Sequence, residues 1–397
     1  MEMRRCLGVW LFLCLFASAA AAQSGPRVFA LDAGKLVRVK AAIARKEAAY
    51  DAPLARLRRQ ATEALRLGPF TVTAKTRVPP SGDKHDFLSL APYWWPDPAK
   101  PDGLPYIRRD GEVNPESKRD TDNPTLNAMV STVETLSLAW YYTGEEPYAA
   151  RAALLLRTWF IDKGTKMNPN YNYAQAVMGR NDGRAAGLID ARGFIRIVDS
   201  VGLLAGSRAW TAADEQALQA WYRAFVSWLQ TSPHGRGEAE ARNNHGAWFA
   251  ADLAVFALFL GDDALARRTI EGVKARIAWQ IEPDGRQPLE LSRTRGVSYS
   301  LFNLDALLTT AVLGEKLGID LWNYQTKDGR SIGRALAFLA PFAFDRKPWP
   351  YQQIISWEPE DYFRLLRRAD GKFRDEALRA LVARAPAVPP AHLSRLW

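Results

Sequence analysis

The chain has 397 residues, 48% of them hydrophobic and 24% charged, and a formal net charge of +10. That balance excludes fibrous, low-complexity and wholly disordered classes and predicts a soluble protein with a large core, read as one domain over residues 23–397. Its 14 Trp, 13 Tyr and 17 Phe suit a thick core, a surface that stacks flat ligands, or both.

The first stretch combines Arg4 and Arg5, an apolar run from Leu7 to Phe16 and the small residues Ala20-Ala21-Ala22. This pattern predicts an export signal over residues 1–22, cleaved after Ala22, and a periplasmic or secreted mature protein. The run is too short for the roughly 20 residues of a spanning helix, no later stretch qualifies either, and stable insertion in a membrane is not expected. Both cysteines, Cys6 and Cys14, lie inside the signal, so the mature chain has neither disulfides nor cysteine-ligated metal. A basic exported protein favours a polyanionic partner; without a finger, basic zipper or single-strand motif, an acidic polysaccharide is expected rather than nucleic acid.

In chain order, helical spacing of apolar residues predicts helices over 32–50 and 53–67. Residues 68–123 change to Pro, Gly, Asp and aromatics, and an irregular segment of that length and aromatic content reads as functional. Asn123-Pro124 then opens a helix that Gly144 ends, and a partner follows over 147–161. A second pair covers 187–206 and 211–229, with Thr211-x-x-Asp214 as a capping box. A third covers 244–261 and 262–280, a fourth begins near Ser298 and ends at Gly314, and a last helix starts at Glu358-Pro359. Openings near 124, 187, 244, 298 and 358 lie 63, 57, 54 and 60 residues apart. Such repeated antiparallel hairpins bury their apolar faces by stacking, which predicts an all-α fold, an incomplete α/α toroid. The first helices of all hairpins then point the same way, and their N-terminal turns share one rim.

Four clusters fall at or near those turns. Arg242-Asn243-Asn244-His245-Gly246-Ala247-Trp248 precedes a strongly apolar helix; an Asn there can be a simple N-cap, and a His a buried core residue. Glu290-Leu291-Ser292-Arg293-Thr294-Arg295 leads to Tyr299, which is 54 residues, one hairpin step, beyond His245. The third cluster is Asn170 to Gln175 with Arg180, Arg184, Asp190 and Arg192, and the fourth is Tyr93-Trp94-Trp95 in the long irregular segment.

Cleaving a uronic-acid polymer by β-elimination means removing the C5 proton beside a carboxylate whose charge resists becoming an enolate dianion. Neutral or cationic donors around that carboxylate stabilise the developing charge, a base takes the proton, and an acid protonates the departing oxygen. Asn244, His245, Arg293 and Tyr299 supply such a set, with Tyr299 able to serve as acid or base if a neighbouring cation lowers its pKa from about 10. Tyr93, Trp94, Trp95 and Trp248 are candidates for stacking on sugar faces, and Gln175, Arg192, Asn243 and Arg295 for binding the chain.

The segments NNHGAW, RTRGVSYSLFNLDAL, HDFLSLAPYWWPDP and NYAQA resemble the alginate lyase family of helical-toroid polysaccharide lyases over about His85 to Tyr362. The resemblance implies cleavage of a uronate polymer by elimination, with Asn244 and His245 neutralising the carboxylate or acting as base and Tyr299 as acid or base. Either Arg293 or Arg295 matches the family's catalytic arginine. Alginate is the first substrate expected and glucuronan the second, with no metal or other cofactor. The alternatives are a glycoside hydrolase on the same toroid, using carboxylates such as Asp190 and Glu290, and a non-catalytic protein that binds acidic polysaccharide.

Overall fold

The computed structural model describes residues 25–397; the expected signal and its cleavage point lie outside the described residues. Two short helices, α1 (Ala33–Ala44) and α2 (Asp51–Ala64), come first. The irregular segment follows, with three short strands, β1 (Leu88–Leu90), β2 (Trp94–Trp95) and β3 (Ile107–Arg108). The hairpins begin with α3 (Asp122–Thr143), which Gly144 closes in the left-handed conformation at φ 71°, and α4 (Glu146–Phe160). Strand β4 (Tyr173–Ala176) and a 3₁₀ run over Ala185–Gly193 lead into α5 (Phe194–Leu203). The expected helix start near Gly187 is thus a tighter turn, and the α-helix proper begins at Phe194. Helix α6 (Ala212–Thr231) opens with the capping box expected at Thr211 and Asp214.

Between α6 and the next hairpin lies α7 (Pro233–Glu240), which the periodicity of the sequence does not reveal. Next come α8 (Asn244–Leu260), α9 (Asp263–Gln280), the one-turn α10 (Pro288–Leu291) and α11 (Gly296–Lys316). The chain closes with α12 (Ile332–Phe344), α13 (Pro359–Arg368) and α14 (Glu376–Ala383). Helices α3, α5, α8, α11 and α13 pack side by side in chain order as one layer, and α4, α6, α9 and α12 back them as the second. This is the α/α toroid expected from the hairpin repeat.

Apart from Asp252, helix α8 is apolar on every side from Gly246 to Phe259 and buried throughout that stretch, because hairpins flank it within its layer and others back it. Helix α11 is long and apolar enough to cross a membrane by length and composition, contrary to the sequence reading, yet 72% of its apolar window is buried in the stack. Helix orientation puts the openings of α8 and α11 and the 3₁₀ run before α5 on one rim. The irregular segment is tied to the rest of the fold by parallel β1 with β4 (Leu88 opposite Tyr173) and folds back on itself through antiparallel β2 with β3 (Trp94 opposite Arg108). A buried ion pair adds to this, Lys75 Nζ lying 2.9 Å from the carboxylate of Asp122, which also accepts the Leu88 amide at 2.8 Å.

Candidate active site

The turn that opens α8 carries three of the expected residues in different environments. Asn243 is the N-cap, its side chain accepting the His245 amide at 3.2 Å, so the simple capping role accounts for it. Asn244 is 1% exposed and held by Glu290 on α10, which accepts both the Asn244 amide and its Nδ2 at 2.7 Å. A carboxylate accepts only, so the amide nitrogen of Asn244 faces Glu290, and its Oδ1 has no protein partner among the described residues. Burial pushes the Glu290 carboxyl up, against the Asn244 hydrogen bonds and the charges of Arg293 and His245 that draw it down. His245 keeps its ring partly open to solvent, and its Nδ1 lies 2.7 Å from Oε1 of Glu238 on α7.

Of the two arginines ahead of α11, Arg293 is the one in contact with Tyr299. Its guanidinium donates to both oxygens of Asp110 at 2.6–3.1 Å, lies 3.8 Å from the Tyr299 ring centroid and gives a hydrogen bond of 2.8 Å to the Tyr299 hydroxyl. Tyr299 in turn donates to the hydroxyl of Tyr93 at 2.8 Å. Arg295 instead donates to the carbonyl of Gly111 and lies over the Tyr93 ring, so it holds the irregular segment rather than the tyrosine. Thr294 completes the fastening, its amide and hydroxyl both donating to Asp110. Gly111, at φ 78°, brings its backbone so close that a Cβ there would lie 2.4 Å from the Thr294 hydroxyl.

The expectation that a neighbouring cation lowers the pKa of Tyr299 is corrected. Burial and the Tyr93 hydroxyl raise it well above 10, more than Arg293 draws it down, so Tyr299 rests as a neutral phenol. Burial alone would raise Asp110 as well, but the bonds from Arg293 and the Thr294 amide outweigh it and hold this carboxyl well below the usual range.

The remaining candidates divide. Tyr93 reaches the site, whereas Trp94 and Trp95 each lie against an arginine, Arg180 at 5.1 Å and Arg109 at 5.2 Å from the respective ring centroids. Gln175 is buried, with backbone φ at 50°, and forms a floor: it accepts from Arg184 at 2.6 Å and reaches Asp190 at 3.3 Å. Trp248 is 8% exposed and packs on Phe302, over which Arg192 lies, so these three sit beneath the helix openings as a packed group. Glu238 and Asp110 escape the sequence reading, whereas Arg184 belongs to its third cluster; Ser232-Pro233, a cap followed by a first-turn proline, is the signal that would have located α7 and with it Glu238.

A family model for alginate lyase matches residues 71–349. The chain belongs to the alginate lyase family. It is similar to an alginate lyase from Bacteroides ovatus of known crystal structure, at 40% identity and a TM-score of 0.89, over 94% of this chain and 98% of that one. It also shares its fold with alginate lyase A1-III from Sphingomonas species A1, at 18% identity and a TM-score of 0.51, over 80% of this chain and 84% of that one. A histidine-to-alanine variant of A1-III complexed with a tetrasaccharide aligns at 16% identity and a TM-score of 0.52, over 86% of this chain and 98% of that one. No curated protein matches the chain. Membership of the family makes this alginate lyase homologue a polysaccharide lyase.

Proposed function

We propose that this lyase is exported and cleaves a polyuronate, alginate first and glucuronan second, by β-elimination between the openings of α8 and α11. The observation that carries the reading is the contact of Arg293 with both the ring and the hydroxyl of Tyr299, on the rim that also holds Asn244 and His245. The second Nδ2 hydrogen of Asn244, together with Arg293, faces the substrate carboxylate and offsets the charge that develops there. His245 takes the C5 proton on Nε2; the C–H electron pair becomes the C4–C5 double bond, the C4–O bond breaks, and the departing oxygen takes the proton of Tyr299. Tyr299 enters as a neutral phenol, the form that donates.

The hydrolase alternative fares worse. Asp190 is buried and committed to Ser89 and Gln175, and Glu290 is buried and committed to Asn244, so neither carboxylate is free to attack or to protonate a sugar. The test is incubation with polymannuronate, polyguluronate, glucuronan and glycosaminoglycans while following ultraviolet absorbance. A rise with alginate or glucuronan, from the conjugated double bond, is expected. New reducing ends without that rise would point to hydrolysis, and depletion of polymer without either to mere binding. Expression of the full chain in a Gram-negative host, followed by N-terminal sequencing, tests export; a mature start at Gln23 is expected.

A further inference from the structure

We propose that Glu238 is a positioning residue that fixes the proton of His245 on Nδ1 and so leaves Nε2 as the nitrogen that faces the substrate. The inference rests on the reading of His245 as the base. It starts from the 2.7 Å contact between His245 Nδ1 and Glu238 Oε1. An ionised carboxylate offers no hydrogen, so the imidazole supplies it from Nδ1, and the lone pair of the neutral ring falls on Nε2. Nε2 has no partner among the described residues, and it belongs to a side chain that is 20% exposed while that of Glu238 is 3% exposed. One end of the ring is thus held in the protein and the other is open.

The setting of Glu238 is costly for a residue with only a packing role. It occupies the last turn of α7, where the helix dipole disfavours an anion, and it is removed from water. Two guanidinium groups offset that cost. Arg276 on α9 donates to the carbonyls of Ala239 and Ala241 at 2.5 and 2.9 Å, closing the end of α7 beside Glu238, and Arg184 approaches from the 3₁₀ side. The residue after His245 is shaped for this arrangement. A Cβ on Gly246 would lie 2.0 Å from the Ala241 carbonyl and 2.1 Å from Arg276 Nη1, so only glycine lets the guanidinium reach between α7 and α8. The ends of three elements therefore converge on holding one carboxylate against one ring nitrogen. As His245 takes the C5 proton, the imidazolium forms against a charge already in place, and the new proton stays on Nε2.

The charged groups around the Glu238–His245 pair are Glu290 on α10, Arg276 on α9, Asp252 on α8, Arg184 at the start and Arg192 in the last turn of the 3₁₀ run, and Arg293 ahead of α11. Replacing Glu238 alone leaves these six unchanged, so its removal reports on one interaction.

The first test needs no variant of Glu238. Nitrogen-15 spectra of the full-length protein labelled at its histidine rings, assigned with His245→Ala, are expected to show neutral His245 with its proton on Nδ1; a proton on Nε2 would overturn the proposal. The second is kinetic. Glu238→Gln is expected to lower kcat about 10–100-fold with KM within about twofold, and to move the acid limb of the kcat/KM profile down by about one pH unit, as an imidazolium loses its neighbouring anion. Glu238→Asp should restore the limb and part of kcat. A folded Glu238→Gln protein with unchanged kcat and an unmoved limb would overturn the proposal even if the spectra supported the tautomer. Full turnover by His245→Ala would instead remove the histidine from the chemistry, a failure of the functional reading that the spectra distinguish from a failure of Glu238 to hold the ring.

Discussion

The two walls of the proposed site are built by different means. The wall with Asn244 and His245 grows out of the core: Asn244, Glu238 and Glu290 are 1–2% exposed, and each contact belongs to the end of a packed helix. The wall with Tyr93 and Trp94 is irregular chain, paired through β1 with β4 and joined through Asp110 and Gly111 to residues 293–295, partners that are 183 or 184 positions away. On one side the fold itself places the chemistry, so disturbing it disturbs stability. On the other a few charge-assisted bonds place it, so a substitution can remove function and leave the fold.

Tyr299, where the walls meet, gives the largest expected effect. Tyr299→Phe keeps the ring beneath Arg293 and removes only the hydroxyl, so turnover should fall about 10²–10⁴-fold while the thermal midpoint changes little. The pH profile sharpens its role. Because the pKa of Tyr299 is raised above 10, the phenol stays protonated throughout the working range, and an acid in that form loses no activity through its own ionisation below about pH 10. A wild-type rate that climbs steadily to pH 10 would mean that Tyr299 works as an ionised base.

Two further substitutions set the walls against each other. Gly246→Ala on the packed wall forces a Cβ into the Ala241 carbonyl and should cost about 1–3 kcal/mol of stability or more, measured by denaturant unfolding, with activity lost alongside. Asp110→Asn on the fastened wall should lose the carboxylate's contribution yet cost less stability than Gly246→Ala, and should lower kcat/KM about 10-fold, since Arg293 loses the anion that aims it at Tyr299. The carboxyl of Asp110 is depressed in the folded protein, so its stabilising contribution is complete above the unfolded value of about 3.9 and is lost only as pH falls through the lower folded value. The fastening should therefore be insensitive to pH from 5 to 9. Equal losses of stability in both variants would erase the distinction between the walls.

The same distinction explains what the sequence reveals. Helices with local signals are legible: Asn123-Pro124 to Gly144 bounds α3, Thr211 and Asp214 cap α6, and Asn243 with Gly261 brackets α8. Helix α7 is hidden because its eight residues include Gly235 and Gly237 and no large apolar side chain, so tertiary contact rather than periodicity stabilises it. Helix α12 is masked by the internal Pro341. Asn244, His245, Arg293 and Tyr299 can be found from residue type and hairpin spacing, since each lies at or just before a helix opening. Their partners cannot. Asp110 meets Arg293 only because the long segment folds back over the rim, and Glu238 meets His245 only because α7 turns the chain between them. The raised pKa of Tyr299 is likewise a product of burial against Tyr93, which no local pattern encodes.

Salt should have the smallest effect and probes where the cations of the proposed site are exposed. The chain carries +10 overall, yet its arginines differ in their access to solvent. Arg293 and Arg108 both pair with Asp110, but the side chain of Arg293 is 14% exposed whereas that of Arg108, on the irregular wall, is 52% exposed. Screening acts over about 10 Å at 0.1 M salt and is strongest between solvated charges, so it should weaken the capture of a polyanion along the irregular wall more than charge stabilisation at the reacting centre. Raising ionic strength from about 0.05 to 0.5 M is therefore expected to increase KM several-fold and to leave kcat within about twofold. Steady-state kinetics on a long and a short oligouronate separate the terms, because a long chain spans more of the exposed cations and should show the steeper dependence. If kcat fell as steeply as KM rose, the screened charges would lie at the reacting atoms, and the packed wall would be as open to solvent as the fastened one.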